Sequence, residues 1–413
     1  MPLVLAIGVS TLHPVINSDP VSKLVWRKED KANYQYKLNN YLKSIKLITN
    51  SIANKVEFFE HLIKKAANFN PNPKRVVEFK NKWFDKDCSS ARKLSNKHLN
   101  RYRKTGDNDD KMTYLSCNKQ YKDICATKKV QYYKNMVNII NRSKNSKDFW
   151  HAVRFVKGSN CLFYNCISIS DWVNHFEFMY NNKLCSNQIH YAKPLIHNSR
   201  LDDRFTMEEL ERVLLKVKKG KAPGWDGIPY EYYTNATPEF LNVMLNVFNE
   251  LFETGDVPGS FKKSLIFPIL KKGNCNVVSN YRGISFNNAI GKLYTGLILN
   301  RMTDWANDGV LNEFQAGFRP GYSTIDNIFT LVNIVKLKLS KKRQKIYAFF
   351  VDFSSAFDTI NRRALIYKLH NLGLSTRVVC AIEGLLDGTV GAVLCKEGRS
   401  NEFNVNVGVK QGC

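Results

Sequence analysis

The sequence contains no Cys-x-x-Cys pair, no apolar run long enough to cross a membrane and no evident internal repeat. Its ten cysteines are scattered, and although Cys161 and Cys166 are five positions apart, no pair of histidines at zinc-ligand spacing lies near them. We therefore expect reduced cysteines in an intracellular protein rather than disulfides or a zinc site. The apolar start at residues 1–9 is too short for a membrane span, which needs about 20 residues, and it does not resemble a signal peptide.

Acidic residues are also scarce, with 36 Asp and Glu against 62 Lys and Arg, for a net charge of +26. The imbalance is concentrated in residues 1–200, which hold 35 basic and 15 acidic residues, and within them in residues 74–157, which hold 22 and 8. A field of this sign attracts polyanions, and nucleic-acid backbones are the commonest of these. The length of 413 residues and the 44% hydrophobic content indicate two or three domains with real cores.

The first half of the chain is predicted to be helical and basic. Residues 1–75 form an N-terminal helical or linker segment, because apolar residues recur at helical intervals until the Asn-Pro-Asn-Pro break at residues 70–73. Residues 76–200 are predicted to be a basic helical linker that binds nucleic acid: two long helices separated near residues 105–110, then a loop-rich connector over 158–200. Aromatic residues interleaved with the charges suit a nucleic-acid backbone and stacked bases, and the alternative is a helical pair with an aromatic core.

The second half carries sharper local signals. Residues 206–209 predict a capping box at the start of one helix, and Thr237 followed by Pro238 predicts the start of another. Residues 264–271 predict a short strand, in which Pro268 indicates an edge position or a bulge.

A second strand is predicted over residues 346–351, an unbroken apolar run that indicates a central strand buried on both faces. Asp352 follows this strand, and a carboxylate in such a place needs a hydrogen-bond partner or a cation. The alternative for Asp352 is a helix cap. We expect Asp358 to take that role instead, for a helix over residues 359–372.

Five sequence blocks follow one another in this half. They are Lys-Ala-Pro-Gly-Trp-Asp-Gly-Ile (221–228), Asn-Tyr-Arg-Gly-Ile-Ser (280–285), Phe-Gln-Ala-Gly-Phe-Arg-Pro-Gly-Tyr-Ser-Thr (314–324), Phe-Val-Asp-Phe-Ser-Ser-Ala-Phe-Asp (350–358) and Gly-Val-Lys-Gln-Gly-Cys (408–413). In this order they resemble the N-terminal block, fingers blocks 1 and 2, motif A and the opening of motif B of non-LTR (LINE-type, jockey- or CR1-like) retrotransposon reverse transcriptases. The basic region between Trp83 and Trp150 is similar to the linker of the same proteins. One departure is Gly283, where the family most often has proline, which puts the rigidity of that turn in doubt.

The resemblance implies an α/β (α+β) fold, with right-hand polymerase fingers and an incomplete palm over residues 201–413. It implies RNA-directed DNA polymerase activity, a nucleotidyl transfer in which two Mg²⁺ ions stabilise the attacking and leaving oxygens. The implied partners are the element RNA template, a DNA primer or target site and deoxynucleoside triphosphates, with no membrane, and the implied location is the nucleus. Residues 341–343 (Lys-Lys-Arg) are a candidate nuclear signal, although a solvated loop is the favoured interpretation.

The resemblance also implies roles for single residues. Asp352 is the catalytic carboxylate and metal ligand, assisted by the backbone carbonyl of Phe353. Phe357 closes the sugar pocket and excludes a ribose 2′-hydroxyl, with helix packing as its alternative role. The remaining implied contacts are with the incoming nucleotide (Arg282, Gln411 and, more weakly, Lys271) and with the template (Gln315, Gly317 and Arg319). A surface arginine is the alternative for Arg282, and plain turn geometry is the alternative for the glycine.

Motif C of the family would supply two more carboxylates, in an aromatic-x-Asp-Asp hairpin that does not follow motif B in this sequence. We therefore expect the 413-residue chain, a fragment that ends within motif B, to be inactive as a polymerase by itself. The alternative function is a non-catalytic RNA- or DNA-binding remnant of such an element. Asp226 is expected to be structural within its turn.

Overall fold

The computed structural model describes residues 23–44, 51–67, 81, 83–141, 167–181, 195–341, 343–395 and 398–412. By their contacts, Met1–Pro71 and Tyr164–Cys413 form one compact unit and Asn72–Phe163 form another. This grouping differs from the three predicted domains, because the described N-terminal helices share a hydrophobic core with helices that follow residue 200.

The described part of the chain is mixed α/β, which confirms the predicted fold class. Its helices are α1 (Lys31–Ser44), α2 (Ile52–Ala66), α3 (Lys86–Thr105), α4 (Asn108–Asn141), α5 (Ile169–Tyr180), α6 (Ser199–Asp202), α7 (Met207–Lys216), α8 (Tyr230–Thr234), α9 (Pro238–Thr254), α10 (Gly259–Lys262), α11 (Ala289–Trp305), α12 (Thr324–Leu339), α13 (Arg362–Asn371) and α14 (Thr376–Leu386). Its strands are β1 (Lys263–Leu270), β2 (Tyr281–Phe286), β3 (Val390–Cys395), β4 (Gly398–Arg399) and β5 (Phe403–Asn404). None of the helices described here has the length and apolar character that a membrane crossing requires.

Helices α1 and α2 pack into the core of the larger unit. The ring of Phe59 lies edge-on to that of Phe240 in α9, with 5.3 Å between centroids. The hydroxyl of Tyr34 donates to the backbone carbonyl of Tyr232 at 3.0 Å and is buried there. These contacts join residues that are almost 200 positions apart in sequence, so α1 and α2 belong structurally to the half of the chain that carries the sequence blocks.

The sheet has the order β2-β1-β3-β4, and β5 pairs with β3. Strand β1 pairs with β2 in antiparallel orientation along most of its length, but with β3 in parallel orientation only over Lys263 to Ile266. Pro268 lies beyond that parallel stretch, opposite Gly283 of β2. This half of β1 therefore has the edge character that Pro268 predicted.

Helix α5 covers one face of the sheet, and its existence corrects the prediction that residues 158–200 are a loop-rich connector. Trp172 and Phe176 of α5 are fully buried. Gly283 lies beneath this helix: a Cβ atom there would be 2.7 Å from a ring carbon of Phe176 and 3.2 Å from the hydroxyl of Tyr180. The departure from the family pattern at Gly283 thus has a steric reason, which is the close approach of β2 to α5.

Two polar features fix the helices around the core. Thr206 and Glu209 form the predicted capping box of α7, with each side chain bonded to the other residue's backbone N–H. Arg301 of α11 is 9% exposed and donates from Nε and Nη2 to the two carboxylate oxygens of Glu209, at 2.7 and 2.8 Å. The same guanidinium also donates to three backbone carbonyls in the 201–204 turn. Because a buried charge needs a full set of partners, Arg301 ties α11 to the start of α7.

The predicted pair of basic helices is present as α3 and α4, in the second unit. They are separated at Gly106, which ends α3 in the left-handed conformation with φ of 66°. The predicted aromatics at Phe149 and Trp150 lie outside the described residues. The nucleic-acid role of this region stays a prediction at this point.

Candidate active site

Motif A presents an exposed carboxylate. Asp352 lies in a segment without regular secondary structure, residues 344–353, in which Phe349 and Phe350 are 92% and 78% exposed. The prediction of a buried central strand over residues 346–351 is therefore wrong for the described structure. An apolar run becomes a strand only where a neighbouring strand takes up its backbone hydrogen bonds, and no described strand pairs with this segment.

The residues described here do not complete a two-metal site. Among them, no group of three or more His, Cys, Asp or Glu side chains is arranged to hold a metal ion. Asp352 and Phe353 are both solvent-exposed residues, whereas a hard cation such as Mg²⁺ is held by several oxygen ligands at once. Asp352 therefore offers one carboxylate to such a site, and the described residues do not fit a complete one.

Motif A and motif B are bound together by backbone hydrogen bonds. The N–H of Val409 donates to the carbonyl of Phe357, and the N–H of Gly408 donates to the carbonyl of Ile360, both at 2.8 Å. Gly408 has a φ of 78°, and a Cβ atom at this position would be 2.6 Å from the carbonyl oxygen of Asp358. Only glycine fits both the conformation and the close approach, so this residue fixes how the two motifs meet.

Motif B also lies beside β2 and is bonded to it through the backbone. The N–H of Ser285 donates to the carbonyl of Gln411 at 2.8 Å, and Nζ of Lys292 donates to the carbonyl of Gly412 at 2.8 Å. The ammonium of Lys410 donates to the carbonyls of Phe261 and Lys262, at 3.0 and 2.9 Å. Fingers block 1 and motif B are therefore one structural element at this point.

A cavity of about 640 Å³ lies where these segments converge. Its lining includes Phe357 of motif A and Gln411 of motif B, both predicted to contact the nucleotide, and also Phe318 of block 2. The Phe318 ring stands edge-on to Phe357, with 5.9 Å between centroids. The volume is within the usual range for small-molecule sites.

The cavity holds buried polar atoms that have no hydrogen-bond partner among the described residues. These atoms are Oε1 of Gln411 and both amide atoms of Asn287. Buried polar groups are almost always satisfied in folded proteins, so this cluster indicates a site for a polar ligand. Two cationic side chains, Lys292 and Lys410, line the same cavity, which makes it suited to an anion.

Sequence reasoning missed Asn287, whose placement depends on the N-terminal block. Gly224 lies against the backbone of Asn287 and Asn288, where a Cβ atom would be 2.4 Å from the nearest backbone atoms. A second cavity, of about 310 Å³, lies on this side; it shares Asn287, Lys292 and Gly412 with the first and is also lined by Lys218 and Lys221. No sequence motif points to Asn287, since its importance arises from a contact made 60 residues away in the chain.

Asp358 does not cap the following helix, which corrects the prediction. Helix α13 begins at Arg362, and its cap is Asn361, whose side chain accepts from the N–H of Ala364. Asp358 is instead buried and accepts a 3.4 Å hydrogen bond from the hydroxyl of Tyr180. Burial raises the pKa of the Asp358 carboxyl, and the Tyr180 hydroxyl and two nearby cations act against that shift.

Those two cations are Lys271 and Arg282, the other residues predicted to contact the nucleotide. The structure places both near Asp358, and neither lines the 640 Å³ cavity. Arg282 is exposed on β2. Their nucleotide contact stays a prediction, whereas their electrostatic interaction with motif A is a feature of the fold.

The predicted template residues lie in an exposed loop. The side-chain amide of Gln315 donates to the carbonyl of Gly317 at 3.2 Å, and the guanidinium of Arg319 donates to the carbonyl of Asn312 and lies over the ring of Tyr322. Gly317 has an ordinary φ, and a Cβ atom there would meet only the Gln315 amide, at 3.5 Å. The described structure therefore shows no internal requirement for glycine at position 317.

Comparison with known proteins agrees with the sequence blocks. Residues 269–413 match the family of reverse transcriptases (RNA-dependent DNA polymerases). The chain is 30% identical over 212 residues to the RNA-directed DNA polymerase from mobile element jockey of Drosophila funebris, covering 51% of this chain and 23% of that protein. It is 28% identical over 173 residues to the probable RNA-directed DNA polymerase from transposon BS of Drosophila melanogaster, covering 40% and 18%.

The chain thus spans about a quarter or less of the length of these relatives. The matched region contains block 1, block 2, motif A and the start of motif B, and the last three of these contribute residues to the lining of the 640 Å³ cavity. Residues 269–413 therefore match a reverse transcriptase domain, and the chain is similar to the RNA-directed DNA polymerases of non-LTR retrotransposons.

Proposed function

We propose that this chain provides the fingers and part of the palm of an RNA-directed DNA polymerase, which transfers deoxynucleotides to a primer 3′-hydroxyl on an RNA template. The observation that carries the proposal is the 640 Å³ cavity in which Phe357 and Gln411 meet orphaned polar atoms and two lysines. A nucleoside triphosphate combines a polar base and sugar with a polyanionic tail, which is the chemistry that this lining would recognise.

The residues of the cavity have separable tasks in this proposal. The amides of Gln411 and Asn287 hydrogen-bond the nucleotide, and Lys292 and Lys410 attract its phosphates. Phe357, held edge-on by Phe318, occupies the space that a ribose 2′-hydroxyl would need. Gln315, Gly317 and Arg319 contact the template, and the open space around Gly317 would let a strand approach the backbone closely.

Asp352 is proposed as a catalytic carboxylate that supplies one ligand to a Mg²⁺ site. Reverse transcriptases use divalent metal ions, which lower the barrier to phosphoryl transfer by stabilising charge on the reacting oxygens.

The nucleus is proposed as the location where the chain meets its DNA primer. A green fluorescent protein fusion tests the location, and a cytoplasmic fusion that is unchanged by K341Q/K342Q/R343Q would contradict a role for that segment.

Primer extension tests the proposed activity. The protein is expressed from the complete open reading frame that encodes this sequence, and incorporation is measured on an RNA template with a DNA primer and Mg²⁺. We expect D352N to abolish incorporation, because the carboxylate charge is lost, and the matched variant D304N, on the exposed surface of α11, to leave it unchanged. Equal incorporation by D352N and the parent protein would refute the assignment.

The sugar pocket is tested separately with F357V. Removing the ring should raise incorporation of ribonucleotides relative to deoxynucleotides by about tenfold or more, since a pocket discriminates by the volume it leaves open. The second candidate function, a non-catalytic RNA- or DNA-binding remnant, is supported by the excess of basic residues over positions 74–157. Salt-dependent RNA binding without incorporation by the complete open-reading-frame product would establish that alternative.

A further inference from the structure

The two helices of the smaller unit form a hairpin that is clamped at both ends by ion pairs. At one end, Nζ of Lys128 in α4 lies 2.6 Å from Asp85 and 2.7 Å from Asp87. At the other end, Arg101 of α3 lies 2.9 Å from Asp110 of α4. Asp85 also caps α3 by accepting from two backbone N–H groups. These clamps set the two helices antiparallel and use carboxylates of the hairpin to do so.

The hairpin has a large excess of positive charge that these contacts do not neutralise. Residues 86–141 contain 13 Lys and Arg against 5 Asp and no Glu. Within α3, the only acidic residue is Asp87, at the N-terminal end, and it is bonded to Lys128. The remainder of α3 therefore carries cations without any anion on its own helix.

Four of these cations form one row along α3. Lys86, Lys93, Lys97 and Lys104 are separated by seven, four and seven positions, which places them on a single face of a helix with 3.6 residues per turn. All four are exposed, and none takes part in an ion pair described for this structure. The row is about 27 Å long, at a rise of 1.5 Å per residue.

The row lies on the opposite side of α3 from the packed face. The buried residues of α3 are Cys88 and Ser95, which are also seven positions apart and lie about half a turn around the helix from Lys86 and Lys93. The fold of the hairpin thus holds its small residues inward and presents the lysines outward on a rigid support.

We propose that this lysine row binds the phosphate backbone of a nucleic-acid strand, which the proposed polymerase activity identifies as the RNA template. Lysines one or two turns apart on one helix face suit a linear polyanion that runs along the helix, because each ammonium can meet a phosphate of the strand. Leu94 is the one large apolar side chain of α3 that is strongly exposed, so the described helix lacks the broad exposed apolar face by which an amphipathic helix enters a membrane surface.

The test measures binding of the full chain to nucleic acid as a function of salt. Fluorescence anisotropy is recorded for a labelled single-stranded RNA, an RNA duplex and a DNA duplex of equal length, between 50 and 200 mM KCl. Each phosphate contact contributes roughly 0.7 to the slope of log K against log salt for a single strand. The variant K86Q/K93Q/K97Q/K104Q should therefore lose about 3 units of slope, and about fivefold in affinity per lysine near 0.1 M salt.

The matched control removes the same charge from α4, where K111Q/K119Q/K122Q/K134Q changes exposed lysines that do not form a row with those of α3. Lysine and glutamine have similar helix propensities, and the helical circular dichroism of both variants should equal that of the parent chain. Equal losses of slope in the two variants, or no loss in the α3 variant, would overturn the proposal. Tighter binding to either duplex than to the single strand would assign the row to that duplex and overturn the template assignment.

Failure of this proposal is distinguishable from failure of the polymerase proposal. D304N, an exposed change on α11 in the other unit, should leave the salt slope unchanged. If the complete open-reading-frame product binds RNA through α3 but incorporates nothing, the lysine row stands and the proposed activity falls. If the complete product incorporates nucleotides but the α3 variant keeps the salt slope of the parent chain, the proposed activity stands and the lysine row falls. Binding of the parent chain to anionic lipid vesicles, together with no measurable binding to RNA, would also refute the row as a nucleic-acid site.

Discussion

Two buried carboxyl groups provide a test of the packing between the N-terminal helices and the N-terminal block. Asp226 is 7% exposed, and it accepts from the N–H of Ile228 at 3.1 Å. Glu60 of α2 approaches the same place through Asn288, which bonds to both residues. Burial raises the pKa of each carboxyl to about 7, and the Asp226 charge adds to the shift at Glu60, whereas the ammonium of Lys64 opposes both shifts.

The sign of the effect on stability follows from these directions. The folded protein binds these protons more tightly than the unfolded chain does, so their contribution is fully present below about pH 4 and is lost as the pH rises towards 7. For Asp226 alone, a shift from 3.8 to about 7 corresponds to about 4 kcal/mol. Because the two groups titrate as a pair, we expect the D226N variant to gain on the order of 2 kcal/mol at pH 8.

The measurement is the free energy of unfolding in urea at pH 5, 6, 7 and 8. We expect D226N to be more stable than the parent chain at pH 8 and to lose less stability between pH 5 and pH 8. The exposed variant D304N is the control, and it should follow the parent chain at every pH. If D226N unfolded at the same or a lower urea concentration than the parent chain at pH 8, with the same dependence on pH, then ionisation of Asp226 would not destabilise the folded protein as proposed.

Three further predictions address the cavity, the sheet and the core. The Q411L variant should raise the melting temperature of the ligand-free chain, because an unsatisfied buried carbonyl costs about 1–3 kcal/mol. It should also weaken nucleotide binding measured by calorimetry. A lower melting temperature would show that Oε1 of Gln411 has a hydrogen-bond partner in the ligand-free chain. G283A should destabilise the chain by about 1–3 kcal/mol in urea, since its Cβ atom would be 2.7 Å from Phe176 and 2.9 Å from Ile266. The change F176L should recover part of this loss, and no recovery would assign the strain to the Ile266 contact. R301M should cost about 3–5 kcal/mol, because it removes the cation from the half-buried Glu209 carboxylate and the donor from three backbone carbonyls, and the double variant R301M/E209Q should recover part of that loss in the same urea assay.

Local features of the fold were predictable from the sequence, since they depend on neighbours in the chain. The capping box of α7 needs only residues 206–209, and the break between α3 and α4 needs only a glycine that accepts a positive φ. Residues 346–351, in contrast, were wrongly predicted to be a strand. Their apolar run is a property of the segment, but a strand also needs a partner at hydrogen-bonding distance, and that partner is set by the tertiary fold.

The candidate site was predicted in part. The sequence blocks indicated Phe357 and Gln411, and the structure brings both to one cavity. Asn287 has no signal in the sequence, because an amide side chain becomes informative only when its surroundings leave it without a hydrogen-bond partner. The contact between Phe318 and Phe357 likewise depends on the tertiary fold. Asp358 was assigned as a cap because it precedes a helix, whereas Asn361 is closer to the helix start and takes that role.

The core shared by α1, α2 and α9 has a consequence for the order in which the chain folds during synthesis. Tyr34 bonds to Tyr232 and Lys55 bonds to Glu250, and these partners are 198 and 195 positions later in the chain. At roughly 5–20 residues per second, a ribosome needs about 10–40 s to supply them. During that interval the apolar faces of α1 and α2 lack the partners that bury them in the folded unit, so these helices can complete their packing only after α9 has been made.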